Sequence, residues 1–146
     1  MQSMKELKSM KPDDSQLDIA RQWLDYARSD LELAATRPGE GILPGTLCFL
    51  AQQACEKSLK ALLVFKGVEF PRTHNINVLL QHLPDDIDIP SRIYEAAGLT
   101  DYAVSSRYPG VSEPVTLSEY NAAVATAKAV YEWVSDLIGY SSSEEK

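Results

Sequence analysis

The chain has 146 residues, of which 45% are hydrophobic and 24% charged, with a formal net charge of −7; these are the proportions of one soluble globular domain. That charge excludes a broad, non-specific grip on nucleic acid but leaves room for a local basic pocket. No apolar run approaches the roughly 20 residues of a membrane span, and the opening MQSMKELKSMKPDDS lacks the apolar stretch of a secretory signal.

In chain order, residues 1–14 read as a flexible leader, 15–140 as a single domain and 141–146 (SSSEEK) as a flexible tail. A first helix is predicted over Ser15–Thr36, with Ser15 and Asp18 as its capping box. Helical spacing puts Leu17, Ala20, Leu24, Ala27, Leu31 and Ala34 on one face. The loop RPGEGILPG follows. A second helix, predicted over Thr46–Lys66, is apolar nearly all round, as a central helix would be. Its polar arc holds Gln52, Gln53, Glu56, Lys57 and Lys60. Phe49, Leu63 and Val64 interrupt that arc, which implies a second contact surface for another helix or a partner chain. Gly67 supplies a C-cap, and Thr73 caps a short helix over His74–Leu83.

After LPDDIDIPS, a fourth helix is predicted over Ser91–Arg107. Thr116 with Glu119 forms a capping box that opens a fifth helix running to about Gly139. Ala122, Ala123, Ala125, Ala127 and Ala129 keep that helix slim enough for close packing. With no strand pattern, the expectation is an all-α fold, an antiparallel bundle of four long helices plus one short helix.

Several residues break their local pattern. Asp30 falls among Trp23, Tyr26, Leu33 and Ala34, away from the other polar residues of its helix, so it needs a cationic or hydrogen-bonding partner. Arg107 shares a face with Ile93, Ala96, Thr100, Ala103 and Val104. The two are natural partners, since a guanidinium matches a carboxylate. Their pairing is either a structural lock on helix register or a means of holding Arg107 beside a phosphate site. Glu56 and Lys60 are spaced as an i,i+4 ion pair. His74 is expected at a helix N-terminus, where the dipole favours a neutral imidazole able to act as a base.

Cys48 and Cys55 are seven apart on one helix, about 10 Å along its axis, too far for a disulfide; they read as reduced core thiols of a cytoplasmic protein. Two histidines without a cysteine cluster do not suggest zinc. Phosphate-loop, dinucleotide and zinc-protease signatures are absent, so no cofactor and no metal is indicated.

The segments WLDYARSDLELA (23–34), CFLAQQACEKSLKALLVFKG (48–67), FPRTHNINVLLQHL (70–83) and LTDYAVSSRYPG (99–110) together resemble the HEPN family of all-helical domains. The resemblance implies a bundle of four to five helices, commonly a homodimer, with a role toward RNA or nucleotides. It also implies a small nucleotidyltransferase partner, often in a toxin–antitoxin pair. Ribonuclease members of the wider family carry an arginine followed four to six residues later by a histidine, and no arginine here meets that spacing.

The expected function is therefore a nucleotide- or RNA-binding module in which Gln53, Lys57, Lys60, Arg107 and Tyr108 line a groove, with a nucleotidyltransferase docking on the second helix. The alternatives are a metal-independent ribonuclease that uses a non-standard His74 and Arg107 site, and a structural dimer without ligand.

Overall fold

The computed structural model describes residues 13–104 and 109–140. Three long helices dominate: α1 (Asp14–Ala34), α2 (Pro44–Phe65) and, last in the chain, α5 (Leu117–Ile138). Between them lie the six-residue α3 (Ile76–Gln81), a 3-10 segment over Ser91–Thr100, and one turn of α-helix, α4 (Asp101–Val104). The described residues form an all-α bundle with one isolated bridge, Gly39 to Ile42, in the α1–α2 loop. Among them no helix is long and apolar enough to cross a membrane.

Helix α2 is the centre of the bundle. Thirteen of its 22 residues are buried, spread round the helix as its near-continuous apolar sequence requires. It packs most extensively against α1 and next against α5. The α1 face is the one its periodicity predicts: Ala20, Leu24, Ala27, Leu31 and Ala34 are buried, with Leu17 packed at the edge of the core. On α5 only Ala123 and Ala127 of the alanine run are buried; Ala122 and Ala125 face solvent.

The helix ends depart from expectation in ways that local chemistry explains. The α1 capping box is Asp13 with Gln16, not Ser15 with Asp18: the Asp13 side chain accepts from the Gln16 N–H at 2.7 Å, and the Gln16 amide accepts from the Asp13 N–H at 3.1 Å. The helix thus starts earlier, at the first side chain able to accept from its orphan N–H groups. For α3 the cap is Asn75 rather than Thr73. The Thr73 hydroxyl instead accepts from the Asn75 N–H at 3.0 Å, fixing the turn that leads into the helix.

The predicted fourth helix is found from Ser91 to Val104, where the described residues pause, but its first ten residues are wound as 3-10. Its buried residues are Ile93, Ala96 and Leu99, a strict period of three that stays on one face only at three residues per turn. Thr100 Oγ1 accepts from the Ile76 N–H at 3.1 Å and ties this segment to α3. The expected boxes and caps elsewhere are found: Thr116 and Glu119 cap α5 reciprocally, and Gly67 and Gly139 adopt the left-handed conformation (φ 70° and 75°) that ends α2 and α5.

One long-range tether completes the frame. The hydroxyl of the buried Tyr120 of α5 lies 2.7 Å from two carbonyls, that of Ala34 at the end of α1 and that of Thr36 just beyond it, and shares its one hydrogen between them.

Candidate polar site on the central helix

Gln52, Glu56 and Lys60 follow one another at four-residue spacing on α2, so each reaches the next one turn along. All three are buried, Gln52 completely. The Gln52 amide is fully used: its N–H2 donates to Glu56 Oε1 at 3.2 Å and to the His74 carbonyl at 3.1 Å, and its oxygen accepts from Gln53 Nε2 at 2.7 Å. Glu56 Oε2 accepts from Lys60 Nζ at 2.8 Å, and Glu56 Oε1 also takes the His74 Nδ1 at 2.9 Å. The Lys60 ammonium lies 5.5 Å from the centroid of the Trp23 ring, a cation–π distance. Beside this group, Lys57 Nζ meets Asp30 Oδ2 at 2.6 Å.

The structure therefore gives Asp30 a partner on α2. Arg107, expected to pair with it, lies outside the described residues, as does Tyr108. The packing of α1 against α2 brings the Lys57 ammonium to Asp30. Of the other expected site residues, Gln53, Lys57 and Lys60 come together on one side of α2, while His74 reaches Glu56 from the turn before α3. His74 stands just before the N-cap Asn75 rather than within α3, whose first residue is Ile76. The role of Gln52, the His74–Glu56 contact and the Trp23–Lys60 stack did not emerge from sequence reasoning. The four-residue register of Gln52, Glu56 and Lys60 was the available signal for the first.

Burial by itself would push the Glu56 carboxyl up. Hydrogen bonds from Lys60, His74 and Gln52, with the positive charge of Lys60, reverse this and hold it below the ordinary carboxylate range. An ionised carboxylate only accepts, so Nδ1 of His74 carries the hydrogen of that contact, and in the neutral ring Nε2 keeps its lone pair. Each of the two lysines carries an internal counterion, yet an ammonium has three hydrogens and each of these contacts uses one. The buried thiol of Cys55 is pushed far up by desolvation and is a neutral core group, not a nucleophile.

The lowered Glu56 value has a testable sign. Between its folded and unfolded values the native state binds fewer protons, so stability rises with pH. The contribution of Glu56 is complete above the unfolded value near 4.5 and is lost as pH falls through the folded one. In urea melts, the stability gap between wild type and Glu56→Gln is expected to hold at neutral pH and to shrink at acid pH. A gap that stays constant down to about pH 3, well below the ordinary glutamate value, contradicts this.

Comparison with known proteins agrees with this architecture. The HEPN domain matches residues 20–137. Among solved structures, TT1696 from Thermus thermophilus is 35% identical with a TM-score of 0.70; the match covers 80% of this chain and 96% of that one. ST0689, described as an archaeal HEPN homologue, is 32% identical with a TM-score of 0.66, covering 82% of this chain and 97% of its own. No curated protein matches the chain.

Proposed function

The chain belongs to the HEPN domain family, and from that premise we propose that it is a cytoplasmic nucleotide- or RNA-binding module acting beside a nucleotidyltransferase-type protein in a toxin–antitoxin pair. The observation that carries the reading is the side-by-side arrangement of Gln53, Lys57 and Lys60 on α2, each held by a hydrogen bond to an internal partner. Their positions are set before a ligand arrives, and the Lys57 ammonium, whose side chain is 23% exposed, keeps hydrogens for phosphate oxygens. Arg107 and Tyr108 complete this proposed ligand set.

The test is calorimetric titration with ATP and with a ten-nucleotide single-stranded RNA, on wild type and on Lys57→Ala. Binding that weakens about tenfold in the variant supports the reading, since a hydrogen bond to a charged group is worth about 1.5–3 kcal/mol. Absence of binding to either probe removes it. Co-purification from the native host, followed by mass spectrometry, tests the nucleotidyltransferase, for which the half-exposed Phe49 on α2 is the proposed contact.

The oligomeric part of the proposal rests on a different surface. Ile19, Tyr26 and Leu33 on α1 are exposed, at 46%, 62% and 54%, and they recur every seven residues. That repeat keeps side chains on one seam of a helix pair, and exposed apolar seams mark association surfaces. We propose a homodimer through this seam.

A second reading, a metal-independent ribonuclease, is favoured by one observation: Glu56 fixes the ring of His74 while the His74 side chain remains 65% exposed. That is how a general base is held in an accessible position. Under this reading RNA cleavage persists in a chelator and is lost in His74→Ala.

A further inference from the structure

A cleft of ≈ 590 Å³ lies between the α1–α2 loop and the N-terminal half of α5, remote in sequence from the α2 cluster and sharing none of its residues. Its size is that of a small-molecule site. One wall is a stripe of α5, with Leu117, Asn121, Val124 and Lys128 at helical spacing; the loop contributes Arg37 and Pro38. The chain carries 21 acidic residues, and none of the described ones lines this cleft. Two cations do, and among the described residues neither Arg37 nor Lys128 has an ion-pair partner. On a surface that is negative overall, this is a local reversal of sign.

The two cations stand at opposite ends. Arg37 follows Thr36, whose carbonyl is held by the Tyr120 hydroxyl, so it sits at the Tyr120 end. Lys128 is eight residues further along α5, about 12 Å up the helix axis. Between them stand Val124 and Ala125 with two polar residues, Tyr120, whose hydroxyl is engaged by the end of α1, and Asn121, whose amide can both donate and accept. The tether from Tyr120 to Ala34 and Thr36 fixes loop and helix relative to each other, so the cleft is formed in advance of any occupant.

We infer that this cleft is a binding site for a small organic anion with an apolar body, the anionic group meeting Arg37 or Lys128 and the body lying against Leu117, Val124 and Pro38. The inference stands apart from the function proposed for α2, and either can fail without the other.

The probe is 8-anilinonaphthalene-1-sulfonate, a flat apolar body bearing one anion, with its uncharged analogue N-phenyl-1-naphthylamine as the control. Binding is followed by fluorescence and located by amide shifts in two-dimensional NMR. The expected result is binding of the sulfonate with shifts centred on residues 35–38 and 117–128. The Arg37→Gln/Lys128→Gln variant should bind it about tenfold or more weakly, since charged hydrogen bonds are lost. The uncharged analogue should bind wild type more weakly than the sulfonate does. Lys128 is exposed and Arg37 lies in the loop beyond α1, outside the core, so a circular dichroism melt should match that of wild type. The inference is overturned if the double variant binds as wild type does, if the uncharged analogue binds equally well, or if the shifts centre on Tyr26, Leu33 or Phe49.

Discussion

Glu56→Ala is expected to destabilise the fold by about 3–5 kcal/mol, the usual cost of removing one partner from a buried ion pair. The Glu56 side chain is 4% exposed and that of Lys60 10%, so water cannot replace the lost carboxylate. The variant leaves a buried ammonium without a counterion and an N–H of Gln52 without an acceptor. His74 adds little, because its ring is exposed and water takes over its contact. For a domain whose whole stability is about 5–15 kcal/mol, the loss is large enough to lower the melting temperature by many degrees.

The companion variant separates charge from packing. Glu56→Leu with Lys60→Met removes both charges while keeping volume, and it should recover most of the loss, because apolar replacement of a buried pair is often close to neutral. Urea denaturation of the two variants gives the answer. A Glu56→Ala protein within about 1 kcal/mol of wild type, the worth of a surface pair, would show that the pair behaves as a solvated one. A double variant no better than the single one would show that the loss does not come from the unpaired charge.

The second large effect concerns association. Tyr26→Asp with Leu33→Asp should weaken self-association by about a hundredfold or more, since a central apolar contact at an interface is worth about 2–4 kcal/mol and here it is replaced by facing charges. Both residues are more than half exposed, so the far-ultraviolet circular dichroism of the monomer should be unchanged. Sedimentation equilibrium on both proteins decides the matter. Wild type sedimenting as a monomer at about 100 μM, a concentration at which even a weak specific dimer forms, or a variant still dimeric, removes the α1 seam as the interface.

Much of the bundle was legible because its signals are local. The α1 core face followed from spacing alone, and Thr116 with Glu119 marked the start of α5 because a capping box needs only four consecutive residues. The 3-10 winding of Ser91–Thr100 was written in the period-three recurrence of Ile93, Ala96 and Leu99, a pattern easily taken for part of an α-helical face. Two of its three members also fit that face. The α1 cap was misplaced because Asp13, Asp14 and Ser15 are all competent N-caps, and only the side-chain geometry of Gln16 decides among them.

The site was harder to read, because its pairings are tertiary. Wheel geometry showed that Asp30 needs a cation but not which helix supplies it, and the packing of α1 on α2 makes that cation Lys57. His74 meets Glu56 from 18 residues away, across a turn whose path depends on Thr73 and Asn75. No spacing rule connects them.

The Tyr120 hydroxyl bears on how the bundle comes apart. The last carbonyls of a helix ordinarily have no intrahelical partner, and its final turn frays. At the end of α1 the single hydroxyl hydrogen of Tyr120 on α5 is shared between the last helical carbonyl, Ala34, and that of Thr36 just beyond the helix, so that turn cannot loosen without breaking this contact to α5. The two helices are bound into one cooperative opening unit although 84 and 86 residues separate the bonded groups. Slow amide exchange at the close of α1 then reports on the C-terminal helix, and a chain truncated before Leu117 would lose order at residues 34–36 as well as at its own new end.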